Sequence, residues 1–278
     1  MDLVMKQQSQ KQMQQQALLD DLLWAVNQLN EVLGRNITLL RRQTESILMQ
    51  QSACSNNEQL QLNNLIRSCK EKRSSRSGKY MLLPEANIEP FEVLCEQSSW
   101  SGGWLVFQQR IDGKEDFNRG WDEYRNGFGS LDHDFWMGLE RLHQITSSGS
   151  YEMLVELRDF LGNYEYAWYK EFEIGSEAED YLLKKIVFKS GSAGDSLTQH
   201  KGLKFLTFDR DTGGKKNFAA EYEGAWWMQE GHFSHLNGRR LMDAGPKSMF
   251  WYSHKESEEG MAVSRMMIRE SESEDNDD

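Results

Sequence analysis

Gly102-Gly103-Trp104-Leu105-Val106-Phe107-Gln108-Gln109-Arg110 opens on two glycines and continues through seven residues of largely aromatic, branched or long apolar type. A short run of this kind, bounded by turn residues, reads as a strand. Working outward, Phe91-Glu92-Val93-Leu94-Cys95 and Tyr151-Glu152-Met153-Leu154-Val155-Glu156-Leu157 read the same way. Glu165 to Ile174 sets Tyr166, Trp168 and Phe172 on one face of another strand. Between them, Phe117–Phe128 and Asp134–Gln144 read as short helices, with Phe135, Leu139 and Leu142 on one face. Glu177 to Leu182 has the acidic opening of a helix N-terminus or turn. The expectation is an α+β domain with an antiparallel core sheet and a loop-rich C-terminal third.

That last third carries the candidate site. Between Gly194 and Gly238 fall a Gly-Asp turn (Gly194, Asp195), an Asp-x-Asp loop (Asp209, Asp211), a tandem indole (Trp226, Trp227) and two histidines (His232, His235). Acidic loops can hold a hard cation through oxygen ligands. Aromatics beside turns build rigid concave surfaces for binding. Two plainer readings stand beside these: Asp209 and Asp211 as turn residues, and at least one of the indoles as core. Ser196 lies next to Asp195 and near His200, yet no nucleophile sits on an elbow turn and no HExxH or paired-carboxylate motif is present. Binding, not catalysis, is the expected chemistry.

Ahead of the domain, Leu19, Leu22, Val26, Leu29 and Leu33 are spaced by threes and fours, which places them on one seam of a helix. A four-residue stutter carries the seam on through Ile37, Leu40, Thr44 and Ile47. It leaves Asn36, in the sequon Asn36-Ile37-Thr38, beside the seam and free to carry a glycan. Residues 1–53 are thus expected to form a coiled-coil segment that makes a homo-oligomer through 19–47; a lone helix docked on the main domain is the alternative. Residues 54–88 read as linker and the start of the globular part, with a basic run from Arg67 to Lys79. Residues 271–278 read as the end of a solvated acidic tail.

The net charge of −12 argues against nucleic acid as a partner. No stretch approaches the eighteen apolar residues of a membrane span. Three cysteines (Cys54, Cys69, Cys95) are too oddly spaced for a zinc site. The first residues lack the basic start and apolar core of a signal peptide, which by itself favours an intracellular protein.

From residue 69 to about 270 the sequence resembles the fibrinogen C-terminal-like domain of fibrinogens, ficolins, tachylectin-type lectins, angiopoietins and tenascins. The resemblance rests on Gly102–Arg110, Asp112-Gly113, Asp116-Phe117, Trp121–Gly129, Phe135-Trp136-Met137-Gly138, Ala193–Leu197, Gly224–Trp227, Leu236-Asn237-Gly238 and Met267-Ile268-Arg269. It implies a secreted, extracellular recognition protein whose leader is missing or already removed, with no enzymatic activity and a glycan or a cell-surface or extracellular protein as partner. A receptor-binding or structural ligand without sugar or calcium is the alternative. The resemblance pairs Cys69 with Cys95, and leaves Cys54 to link subunits or stay a free thiol. It equates Phe218 and Gly231 with a second, missing pair. A calcium loop would retain Asp209 and Asp211, with Thr212 and Gly213 where a third carboxylate belongs. An acetyl pocket would draw on Trp226, Trp227, His232 and Trp251. The matching step, Gly231-His232, would be a cis peptide, and Met228 and Glu259 stand in place of family tyrosines.

Overall fold

The computed structural model describes residues 65–72, 76–84, 89–210 and 216–271, together with 22–24, 26–44 and residues 11, 13 and 19. Ile47, Cys54, Asp211 to Lys215 and the 272–278 tail lie outside the described residues. The protein forms two compact units, Met1–Asn63 and Asn64–Asp278. In the first, residues 22–24 and 26–44 are helical (α1). Thr38 and Thr44 satisfy their hydroxyls on the carbonyls of Gly34 and Leu40, each 2.9 Å away. Leu22, Val26, Leu29, Leu33, Ile37 and Leu40 all stand exposed along this helix, as does Asn36.

The second unit is built on one sheet. Its strands are β1 (Leu65–Ile66), β2 (Gly78–Leu82), β3 (Phe91–Glu96), β4 (Trp104–Arg110), β5 (Phe128–Gly129), β6 (Phe135–Trp136), β7 (Tyr151–Asp159), β8 (Tyr164–Ile174), β9 (Leu183–Ser190) and a last strand (Met261–Glu270) that follows four two-residue strands in sequence. Those four are β10 (Phe205–Leu206), β11 (Trp226–Trp227), β12 (Ser234–His235) and β13 (Phe250–Trp251), so the last is β14. The main order is β1-β2-β3-β4-β14-β7-β8-β9, with β6 also on β4 and β5 on β6. All of these pairings are antiparallel except β1 with β2. Helices α2 (Trp121–Asn126) and α3 (Leu139–Ser147) follow β4 and β6, and α4 (Phe218–Tyr222) belongs to the loop region. The β4 residues are buried throughout, because β4 has strands on both sides and packed residues on both faces.

The antiparallel α+β architecture is as the sequence led us to expect, with differences at particular elements. Residues 78–82, in the stretch expected to hold linker and the start of the globular part, form β2 against Cys95–Phe91 of β3. The second compact unit begins at Asn64. Phe135 and Trp136 extend onto β4 instead of opening a helix; α3 starts only after Gly138, whose φ of 109° turns the backbone. The largest omission is β14, which joins the two halves of the sheet through Ser264–Ile268 on β4 and Met261–Glu270 on β7.

Salt bridges lock this junction. Arg269 donates to Glu152 (2.8 Å) and to the carbonyls of Trp100 and Gly102, while its guanidinium lies 4.2 Å from the Trp104 ring centre. Arg265 spans Glu96 and Glu156 at 2.9 and 2.7 Å. A buried charge is tolerated when such partners satisfy it. Cys69 and Cys95 form a disulfide, Cα–Cα 5.6 Å, that ties the residues after β1 to β3. Closing a loop of this length contributes about 3–4 kcal/mol by the chain-entropy estimate.

Candidate functional site

The region from 205 to 255 is made of two small antiparallel ribbons, β10 on β11 and β12 on β13, and the turns between them. Ribbons this short have few backbone bonds of their own, so side chains pin them to the sheet. Trp227 donates from Nε1 to the Tyr181 carbonyl at 2.8 Å and packs edge-on to Phe205 and Trp226. Trp251 donates to the Gly194 carbonyl at 3.3 Å. Asp195 accepts from the Leu197 and Thr198 amides and from the Tyr169 hydroxyl, and Ser196 is bonded to Ser253. The Gly194-Asp195-Ser196 stretch is therefore an anchor for the loops, with Asp195 Oδ1 and the Ser196 hydroxyl holding the turn.

Trp226, Trp227 and Trp251 are each 0 % exposed. Fully enclosed indoles offer no face to a ligand; they are the core of this region, and the expectation that they line a binding surface is corrected. The tandem arrangement misled because successive strand residues point to opposite faces, and both faces of β11 are covered.

His232 differs. Its ring stacks on Tyr222 (4.9 Å, 30°) and lies 5.3 Å from Phe250. Its Nε2 is buried without a hydrogen-bond partner. Tyr222 stacks in turn on Phe218, the two being four residues apart on α4. The result is a ladder of rings, Phe218–Tyr222–His232–Phe250, running from half-buried to buried. Burial raises the Tyr222 hydroxyl, and the charges of Glu221, Glu258 and Glu230 add to this. Burial also raises Glu258. The Gly231-His232 peptide is trans, since cis bonds are absent from the described residues, and Gly231 turns with φ 70°.

Two further histidines support it. His200 donates from Nδ1 to the Trp227 carbonyl (2.6 Å) and accepts the Phe233 amide proton at Nε2 (3.1 Å). Both ring nitrogens are thus satisfied only in the neutral form. His235 donates from Nδ1 to the Pro246 carbonyl (3.1 Å), while its Nε2 has no partner. A Cβ at Gly224 would fall 2.7 Å from that Nε2, and one at Gly238 would fall 3.0 Å from Nδ1, so the ring is clamped between two glycines. Burial pushes His200 and His232 down to about 4 and His235 to about 3. Neutral imidazoles weld β11 to β12.

Asp209 turns inward. Both its oxygens receive the Trp121 amide at the start of α2 (3.0 and 3.2 Å), and Oδ1 also accepts from Thr207 at 2.6 Å. Among the described residues, no three His, Cys, Asp or Glu side chains gather as a metal ion requires. The described donors do not make the six to eight oxygens of a calcium site, and Asp211 falls outside them.

Residues 65–271 match the family model of the C-terminal globular domain of fibrinogen beta and gamma chains. The protein belongs to this family. Fibrinogen C-terminal domains are ligand-binding modules and not enzymes. Human ficolin-3 is 41 % identical over 211 residues, which cover 73 % of this protein and 70 % of ficolin-3. Human fibrinogen C domain-containing protein 1 is 40 % identical over 200 residues, 69 % of this protein and 43 % of that one. The fibrinogen-like globe domain of human ANGPTL2 superposes with a TM-score of 0.70 at 32 % identity, covering 74 % of this protein and 99 % of the globe. Against this fibrinogen C-terminal background, the sequence reading named Phe218 only as the place of a missing cysteine and did not single out Tyr222, Phe250 or Glu258. The i, i+4 spacing of Phe218 and Tyr222 behind the Asn217 cap was the one signal that could have found half of the ladder.

Proposed function

We propose that the protein is a secreted, extracellular recognition protein that binds a glycan or a cell-surface or extracellular protein through its 205–255 loops, and that the sites are multiplied by self-association of residues 19–47. The observation that carries this reading is the half-buried pair of stacked rings Phe218 and Tyr222, backed by the buried His232 and Phe250, with Glu258 and Glu230 near Tyr222. Part-exposed stacked rings beside carboxylates suit a ligand that presents an apolar face and a hydrogen-bonding group. Trp226, Trp227 and Trp251 act as supports for this ladder, and binding proceeds without calcium. The relatives, among them ficolin-3 and the ANGPTL2 globe, support the extracellular setting.

The exposed apolar seam of α1 supports a homo-oligomer, because such a stripe is stable in water only when covered. Several weak sites on one particle bind with avidity, and a glycan on Asn36 would stand clear of the seam. In the test, the intact protein captures a ligand from extracellular material equally well with and without a chelator. Tyr222→Ala abolishes capture, and Leu29→Glu with Leu33→Glu yields monomers that capture poorly. Capture that survives Tyr222→Ala, or that disappears with the chelator, overturns this account of the site. A protein ligand retained after glycosidase treatment would favour the receptor-binding alternative over the glycan.

A further inference from the structure

Ser264 of β14 meets Met249 of the loop region. Its neighbour Arg265 points to the opposite face of the sheet, away from those loops. That second face carries a strip of aromatic rings. Tyr164, Tyr166 and Trp168 stand at alternate positions of β8, in unbroken register with Arg158, Glu156 and Leu154 of β7. Alternate residues of a strand are about 6.6 Å apart, so the strip is about 13 Å long. Trp100 lies across it, with ring centres 4.5 Å from Tyr166 and 5.8 Å from Trp168. Tyr164 is 45 % exposed and the other three are half-buried.

Three of these rings have their polar edges tied down. The Tyr164 hydroxyl and Trp100 Nε1 donate to Glu156 at 2.7 and 3.2 Å, and Trp168 Nε1 donates to Glu152 at 2.8 Å. Both carboxylates are answered in turn by Arg265 and Arg269. What the strip offers to solvent is therefore ring surface. Trp100 is held over it against its backbone preference: φ is 54° there and 64° at Ser101, a region that favours glycine. Its carbonyl is fixed by Trp104 Nε1 at 3.1 Å and Arg269 Nη1 at 2.8 Å. Strain of this kind persists only where the surroundings enforce it, and it gathers at functional positions. At the two ends of the strip stand the exposed Arg158 and Lys189, 5.9 and 4.0 Å from the ring centres of Tyr164 and Trp168. Neither makes a hydrogen bond or an ion pair among the described residues, so their N–H donors are open.

Flat ring faces in a row suit the C–H faces of successive sugar rings. A peptide strand has less to gain, because β8 is already bonded to β7 on one side and β9 on the other and leaves no backbone edge open. One cation at each end of the strip calls for negative charge repeated along a chain, met by charge-assisted hydrogen bonds. We propose that this face binds an extended acidic polysaccharide, its sugar rings lying on Tyr164, Tyr166, Trp168 and Trp100 and its anionic groups meeting Arg158 and Lys189. The surface stands whether or not the 205–255 loops hold a ligand.

Calorimetric titration of the full-length protein with tetragalacturonate, its methyl ester, monomeric galacturonate and tetraglutamate tests it. Tetragalacturonate should bind about tenfold or more tighter than each of the other three. Arg158→Gln with Lys189→Gln, both at exposed positions, should weaken it about tenfold with an unchanged melting curve. Trp100→Asn, which suits the left-handed backbone but removes the ring, should weaken the acid and the ester alike. Tyr222→Ala should leave tetragalacturonate binding untouched, which separates this face from the loops. Equal binding of the methyl ester or of monomeric galacturonate would overturn the proposal. So would tighter binding of tetraglutamate, indifference to the double Gln variant or to Trp100→Asn, or loss of binding in Tyr222→Ala.

Discussion

Each residue of β14 from Ser264 to Ile268 has a register partner on β7, and all are also matched along β4 apart from a bulge at Met266–Met267. The ribbons β11 and β12 have two residues each, and single side chains hold them: Trp227 on Tyr181, His200 on Phe233, Asp209 on Trp121. Buried polar atoms without partners concentrate there too, at Trp226, His232, Ser234 and His235. In the sheet many equivalent bonds share the work, so no single one is decisive. In the loops each contact has one task, and leaving groups unsatisfied is the mark of a surface shaped for something besides stability.

The sharpest way to break this contrast is a loop-to-sheet hinge residue. Asp134, wholly buried, accepts the amides of Ile111, Asp112 and Gly113 as well as Arg110. Asp134→Ala strands a buried cation and three donors and should cost about 3–5 kcal/mol, read as a large fall in the denaturant midpoint. Trp227→Ala should cost a comparable amount, about 3–5 kcal/mol, but hydrogen exchange should show the loss confined to 205–255 if the loops are pinned one contact at a time. Loss of protection across β7 and β14 as well would erase the distinction between the two regions.

Acid offers a graded probe. His200, His232 and His235 have folded values below the ordinary histidine value of 6.5, so the unfolded state binds more protons between those limits. Stability is therefore unaffected above pH 6.5 and falls as the pH drops from 6.5 through about 4. Each histidine that titrates contributes a slope of about 1.4 kcal/mol per pH unit. Tyr222 fluorescence or loop exchange should respond before the sheet does. Asp209→Ala, which uncaps α2, should cost about 1–2 kcal/mol, with chelator leaving the melting temperature of both proteins unchanged. At the small end, Leu161→Ser at the 80 % exposed tip between β7 and β8 should stay within about 0.5 kcal/mol.

The sequence revealed the sheet strands whose apolar residues are dense or alternate, β3, β4, β7 and β8, and it pointed to the correct family. β14 escaped because Met261-Ala262-Val263-Ser264-Arg265-Met266-Met267-Ile268-Arg269-Glu270 shows neither clean alternation nor an unbroken apolar run. Its arginines face carboxylates far away in sequence. The site was harder still. Side-chain type located the right region, but whether an indole faces in or out depends on pairing, as β10 on β11 demonstrates.

Because the ten residues Met261–Glu270 fill the gap between β4 and β7, the sheet stays in two pieces until the ribosome has passed them. Until then, β4 and β7 present open edges that invite wrong partners. A nascent polypeptide halted before Met261 should accordingly cling to chaperones, whereas one released just past Glu270 should close on itself.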